Sequence, residues 1–428
     1  MSLVSRVSDA VRRRAGADTY GKGATFFLLS STVVNLSSFL FHMVSSRLLG
    51  PRDYGSLSTL INMTNLIALP VGALQFAVTQ AVLENAREGH QSMTRLLQRT
   101  ALIGCLIVVA VMVFLSPIDS YFHMTSPWPM VFIAIWIPLA LLSTLVQGVL
   151  LGEFTYSPVA TGILVGGGVL RLAIGVLLIY LGFGVGGATL AILLGQIFTL
   201  GYVLYAARHF LGFPSGSSHL RVGFRHISIS VTTFAGLTAF TAVDTFLGRH
   251  YFSSFFAGQY AAASIAAHVA LFFPSAVVMV SFPHMVGERV ISPASRAVIL
   301  QSLKLTTILG MGVALVFAVS PALVTGVLFG AKFSPASSIL RVLLIQSVGL
   351  GLMTLLVAIQ LARRHWSALL PLVGVGVTVT AAALHPPSFR SLAVVMLVVT
   401  TVIVSIIGGS LGVALRHSKV KENLSTTS

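Results

Sequence analysis

Apolar stretches long enough to cross a membrane follow one another along almost the entire chain, separated by short polar gaps. They run near residues 24–48, 55–83, 99–116, 130–151, 158–181, 185–207, 226–249, 256–284, 298–319, 336–361, 367–385 and 391–415. A helix crossing a hydrocarbon core of ~30 Å needs about 20 mostly apolar residues, so the pattern predicts about twelve transmembrane helices. Only helices and closed barrels satisfy their backbone polar groups inside lipid, and stretches of this length fit helices. The predicted class is an all-α integral membrane protein.

The polar gaps set the expected orientation. Arg6, Arg12, Arg13, Arg14 and Lys22 precede the first stretch, and Arg87, Arg95 and Arg99 surround the second gap. Arg208, Arg221 and Arg225, then Arg289 and Arg296, then Arg363 and Arg364 follow in even-numbered gaps. Arg416, Lys419 and Lys421 close the chain. The intervening gaps hold little more than Arg52, Arg249, Lys332 and Arg390. Basic loops stay inside, so both termini are expected in the cytoplasm, on a multi-pass protein of the cell (inner) membrane.

Composition agrees with that class. With 56% hydrophobic and 8% charged residues and a mean hydropathy of +0.95, the chain lacks the polar surface to cover a water-facing globule. Its formal net charge of +16 then reads as a topology signal and as attraction to anionic membrane lipids. No nucleic-acid partner is expected, because no soluble basic domain exists to carry one. Leu3, Val4, Val7 and Val11 recur at helical spacing among basic residues, which fits an interfacial segment rather than a cleaved signal peptide. The lone cysteine, Cys105, excludes an intrachain disulfide.

The two halves echo each other. Tyr54-Gly55 and Tyr260 each open a stretch that reaches a proline, Pro70 or Pro274, and Ser116-Pro117 and Ser320-Pro321 each end one. Gln147 with Pro158 and Gln360 with Pro371 keep identical spacing. An even number of spans per half makes such repeats parallel. The expected organisation is a cytoplasmic segment 1–23, a six-helix lobe 24–207, a Gly/Ser-rich cytoplasmic linker 208–225, a second six-helix lobe 226–415 and a cytoplasmic tail 416–428. Two pseudo-symmetric bundles would then enclose a central lumen.

Little room is left for catalysis. Gly16 to Lys22 spells most of a phosphate-binding loop, but Gly23 replaces the hydroxyl that would hold magnesium and no strand precedes it. Gly182, Gly184, Gly186 and Gly187 sit in a tight turn between two stretches. No His, Cys or carboxylate cluster has metal-ligand spacing. Neither an enzyme nor a resident cofactor or metal is expected, and the residues by themselves point to a transporter with two lobes.

Ser46-Arg47-Leu48-Leu49-Gly50-Pro51-Arg52-Asp53-Tyr54-Gly55 resembles the first-loop motif of the polysaccharide-biosynthesis flippases of the multidrug/oligosaccharidyl-lipid/polysaccharide exporter superfamily. Gln147-Gly148 through Phe154, Arg171 with the Gly182 to Gly187 turn, Val243-Asp244-Thr245, Gly258-Gln259-Tyr260-Ala261-Ala262, Phe282-Pro283 and Leu328-Phe329-Gly330 extend the similarity over nearly the whole chain. The resemblance implies twelve helices in two lobes that move lipid-diphosphate-linked oligosaccharide from the cytoplasmic to the outer leaflet by alternating access. It also implies a polysaccharide polymerase and glycosyltransferases as partners. A cation-coupled multidrug exporter of the same superfamily and a lipid II flippase are the alternatives. The first would carry an acid in its first span, where 24–48 has none, and the second would need about fourteen spans.

A sugar hydroxyl costs ~2–7 kcal/mol to bury without a partner, so such a cargo requires a polar passage. Stripes at helical spacing offer one: Ser31, Asn35, Ser38, His42 and Ser45; Ser58, Asn62, Asn65 and Gln80; Ser230, Thr233, Thr241 and Asp244; Ser264, His268 and Ser275. Individual Ser and Thr residues can instead bond their own backbone, which leaves Asn35, His42, Asn62, Asn65 and His268 as lumen candidates. Arg171 lies mid-stretch, where a charge needs a cavity or a partner. It is the candidate diphosphate contact, set against a structural bond to backbone carbonyls. Arg47, Asp244 and Arg249 are gate or coupling candidates. For Asp244 three readings stand: a proton or sodium site, a gate partner of Arg47 or Arg249, and a structural salt bridge.

Overall fold

The structure is a computed structural model, which describes residues 17–84, 89–210, 224–271 and 293–426. Every element among these residues is helical. The interfacial segment, Gly16, the centre of the 208–225 linker, and Pro274, Ser275, Phe282-Pro283 and Arg289 lie outside the described residues, whereas Ala17 to Lys22 of the glycine-bounded stretch belong to a helix.

Among the described residues eight helices are long and apolar enough to cross a membrane, or nine if the pair Leu97–Val113 and Leu115–Tyr121, bent by 61°, is one span. The sequence pattern predicts about twelve, and the difference has identifiable causes. Two of the eight are 44 and 52 residues long, at Thr25–Ala68 and Tyr156–Ala207, each far beyond the ~20 that one crossing needs. Each is interrupted by glycines with positive φ. The predicted stretch near 256–284 is described only as far as Leu271.

The chain divides into two compact units. Residues 1–49 and 63–231 form the first, and 50–62 and 232–428 form the second. In chain order the elements are α1 (Ala17–Glu84), α2 (Gly89–Val113), α3 (Leu115–Tyr121), α4 (Trp128–Gly152), α5 (Tyr156–Gly162), α6 (Arg171–Leu178), α7 (Gly184–Ala207), α8 (Phe224–Tyr251) and α9 (Ser254–His268). They continue with α10 (Pro293–Val319), α11 (Pro321–Phe329), α12 (Ser337–Ala362), α13 (Leu370–Leu384) and α14 (Phe389–Thr426). Gly50 breaks α1 at φ 74°, ψ 174°, a conformation closed to most side chains, and Pro51 then supplies no N–H to continue the ladder.

In the first unit, α5 and α6 are joined by a π-helical run, Ile163–Leu170, and α6 leads into another, Ile179–Phe183. Gly182 (φ 91°) and Gly184 (φ 54°) reverse the chain, so α7 packs back antiparallel on the segment before it. Thr199 Oγ1 donates to the Gly162 carbonyl at 3.0 Å and to Gly195 at 2.9 Å. At Gly166 and Gly195 the backbones meet so closely that a Cβ on either would overlap the other's carbonyl. Small residues permit this approach between helices in lipid.

The second unit is built on an extensive apolar core. Phe240, Leu247, Tyr260, Phe329, Phe333, Leu340, Leu343 and Met396 are among its buried members, joined by Tyr54. The Tyr54 ring lies 5.7 Å from Phe333, edge on, and 6.0 Å from Phe329. Large apolar side chains elsewhere face outward, such as Val319 and Leu106, as lipid-facing positions should.

Candidate functional site

The mid-helix arginine has a built environment in the first unit. Gly168 and Gly175 flank Arg171 at roughly one helical turn on either side, and both face the first half of α1. A Cβ at Gly168 would sit 3.5 Å from Val34 and 3.6 Å from Ser37 Oγ, and one at Gly175 would strike the Phe41 ring. These close approaches hold the Arg171 guanidinium 5.2 Å above the centre of the Phe41 ring. A cation over an aromatic face is stabilised by ~2 kcal/mol when desolvated. His42, next in sequence and half-buried, is near enough to feel the same charge. Arg171 and His42 are thus brought together, with Phe41 as a platform that the sequence pattern did not single out. The π-helical run ending at Leu170 directly precedes Arg171, and such irregularities are frequent at functional sites.

The other lumen candidates are more dispersed. Asn35 and Asn65 are exposed and Asn62 is half-buried. Asn62 groups with the second unit and Asn65 with the first. His268 ends α9 with its Nε2 buried and without a hydrogen-bond partner among the described residues. Two stripe positions resolve as backbone-bonded: Ser31 donates to the Phe27 carbonyl at 2.9 Å and Thr241 to Leu237 at 2.8 Å. Ser45 and Ser58 carry buried hydroxyls with no partner among the described residues. Arg47 is exposed at the end of the first half of α1.

Asp244 is fully buried on α8. Its Oδ1 accepts from the Thr245 backbone N–H at 2.6 Å and from Thr245 Oγ1 at 3.3 Å, and its Oδ2 accepts from Ser264 Oγ on α9 at 3.4 Å. The Tyr260 hydroxyl forms no hydrogen bond of good geometry yet is near enough to be influenced by this carboxylate. The acid whose charge bears on Arg249 is Asp53, so within the second unit the pairing runs to the first-loop motif.

Three of the quoted motifs converge there. A Cβ on Gly258 would overlap the Pro51 carbonyl, and one on Gly55 would lie 2.9 Å from the Gly258 nitrogen. Gln259, fully buried, donates to the Lys332 carbonyl at 2.8 Å and accepts from the Ala336 N–H at 3.2 Å. It thereby clasps the short helical turn Ala331–Ala336 that follows Gly330 (φ 99°). Asp53, Gln259 and Tyr260 were not singled out by chemistry. Their signal was their place in the Ser46-to-Gly55 and Gly258-to-Ala262 motifs and, for Tyr260, its echo of Tyr54. Among the described residues no group of three or more His, Cys, Asp or Glu side chains could hold a metal ion.

A family model described as "Polysaccharide biosynthesis protein" matches residues 44–338. A search of curated proteins gave no match. Among solved structures, an inward-facing multidrug resistance MATE family transporter of the MOP superfamily superposes with a TM-score of 0.71 at 16% identity, covering 91% of this chain and 95% of that one. Its outward-facing counterpart gives 0.63 at 14% identity, with 94% and 96% covered. The lipid II flippase MurJ, in an inward closed conformation, gives 0.70 at 13% identity, with 90% and 87% covered. The fold is that of these transporters.

Proposed function

This chain belongs to the polysaccharide biosynthesis protein family, and from that membership we propose that it is a flippase for lipid-diphosphate-linked oligosaccharide. It carries this cargo from the cytoplasmic to the outer leaflet by alternating access, with both termini cytoplasmic and twelve crossings in two six-helix bundles around a lumen. Arg171 beside Phe41 and His42 is the observation that carries the reading. An arginine within a span costs ~3 kcal/mol on insertion scales, and a diphosphate is a ligand whose two charges offset that cost. Among the described residues of the first unit the acids Asp18, Glu84, Asp119 and Glu153 all stand at or near helix ends. A site for cationic drugs would place an acid deep in the membrane there.

Asn35, His42, Asn62, Asn65 and His268 contribute hydrogen bonds to the sugars, and Arg47, Asp244 and Arg249 serve gating or coupling. A polysaccharide polymerase and glycosyltransferases act on either side of the step, and the protein itself catalyses no bond change. An inside-negative potential favours outward movement of a dianion by ~4.6 kcal/mol per 100 mV, so the field contributes to the cycle.

Proteoliposomes loaded with a fluorescent lipid-diphosphate oligosaccharide test the proposal. Flipping should require the protein, slow when the potential is collapsed, and disappear in Arg171→Ala and Asp244→Asn variants that still insert. Transport of a cationic dye instead of the lipid-linked sugar would replace this reading with the drug exporter. Transport confined to lipid II would replace it with the lipid II flippase.

A further inference from the structure

One end of the second unit carries bases for which the transport reading above has no use. Contacts gather four segments there. The Pro51 carbonyl abuts Gly258, and Gln259 clasps Lys332 and Ala336. The Phe389 ring lies 5.5 Å from Phe256, 6.0 Å from Phe252 and 6.1 Å from Tyr260. Phe252 in turn caps α8 through its N–H on the Gly248 carbonyl at 3.0 Å, next to Arg249. Arg52, Lys332 and Arg390, on three of these segments, are exposed. Arg249 is buried and set against Asp53. Arg341, about a turn into α12, donates from Nε to the Ala318 carbonyl at 3.2 Å.

Asp53 and the buried Asp244 are the acids among the described residues of this end. With Asp53 assigned to Arg249, the charges of Arg52, Lys332 and Arg390 remain uncompensated. Their location is unusual for this chain, whose alternate gaps are otherwise nearly free of bases; Leu115 to Pro129 has none. Lys and Arg on the outer side oppose the usual orientation bias, so three on one braced platform call for a ligand. The brace is apolar and hydrogen-bonded, which reduces the ordering cost of binding. Guanidinium groups match phosphate oxygens in a forked geometry, and an ammonium adds a compact charge.

We propose that Arg52, Lys332 and Arg390 form a second diphosphate site, at the membrane surface on the exit side, that receives the lipid-borne diphosphate after passage. The inference rests on the flippase reading. A phospholipid phosphodiester carries one charge, whereas the diphosphate carries two for the three bases to meet.

The test uses the full chain in phosphatidylcholine nanodiscs titrated with a fluorescent polyprenyl diphosphate, with thermal melting recorded for every variant. The R52Q/K332Q/R390Q variant should bind about tenfold more weakly at unchanged melting temperature, and inorganic pyrophosphate should compete with the wild type more than with the variant. Unchanged affinity in the folded triple variant overturns the proposal. An equal loss of phosphatidylglycerol binding also overturns it, because the surface would then recognise any anionic lipid. If the triple variant melts early, Lys332→Gln alone decides: binding weakened about threefold supports the site, and wild-type binding removes it. A wild-type protein that binds no polyprenyl diphosphate at all refutes the flippase reading. Binding lost in Arg171→Ala but kept in the triple variant removes the exit site alone.

Discussion

Replacing Arg171 by methionine should weaken diphosphate binding by roughly 10- to 150-fold and leave thermal stability unchanged or slightly raised. The numbers follow from its surroundings. Within a span the guanidinium carries an insertion cost of ~2.5–3.5 kcal/mol. Its stacking 5.2 Å above Phe41 returns about 2 kcal/mol. Methionine keeps the flexible apolar stem against Gly195, whose Cβ position is 3.8 Å from Arg171 Cβ, and removes only the charge. The balance is a side chain that does not stabilise its own fold, which is expected of a group retained for a ligand. A charge-assisted hydrogen bond to phosphate contributes about 1.5–3 kcal/mol, and each 1.4 kcal/mol is about tenfold in affinity. Purified protein in nanodiscs, titrated with a polyprenyl diphosphate and melted in parallel, measures both quantities. If Arg171→Met melts several degrees lower while binding the diphosphate as well as the wild type, the arginine is a structural brace and the reasoning fails.

Gly195→Ala should destabilise the antiparallel pair by about 1–3 kcal/mol, because the new methyl meets the Gly166 carbonyl in a packed interface with no slack; unchanged melting in detergent would contradict the close approach. Gln259→Leu should cost about 1–3 kcal/mol by leaving the Ala336 N–H without its acceptor and the Lys332 carbonyl without its donor. Hydrogen exchange at residues 331–336 should accelerate in that variant, and protection at the wild-type level would count against the clasp. Orientation is checked by labelling in a Cys105→Ala background, since the native cysteine is exposed. Cysteine at Lys332 should react with an impermeant maleimide on intact cells, and cysteine at Arg364 only after permeabilisation; the reverse result would invert the topology.

Helix positions were legible because each apolar stretch is bounded by charges or by glycine and proline, and hydrocarbon tolerates little else. The breaks at Gly50 and at Gly182–Gly184 were visible as glycines, although their φ values come from the structure. Arg171 stood out because a mid-span charge is rare. Its platform did not, since nothing in the chain says that Phe41 rather than another aromatic would face it across the Gly168 and Gly175 approaches. Within the polar stripes, Ser31 and Thr241 bond carbonyls four residues earlier, the local alternative open to any helical Ser or Thr; which of them take it is not encoded in spacing. The junction of Pro51, Gly258 and Gln259 with Lys332 was invisible for another reason. Its bonds join positions 73 and 77 residues apart in sequence, and periodicity carries only local information. For the same reason Gly50–Asn62 read as part of the first half, whereas those residues pack with the second unit.

Gln259 holds one acceptor and one donor that lie four positions apart, and a single amide spans them both. Such a fastening has no tolerance for length. Adding or deleting a residue between Lys332 and Ala336 would release one end of the grip, so relatives that retain this glutamine should keep the interval unaltered. Gains and losses of sequence should collect instead in exposed turns that no distant side chain bridges, such as the stretch around His385 and Pro386.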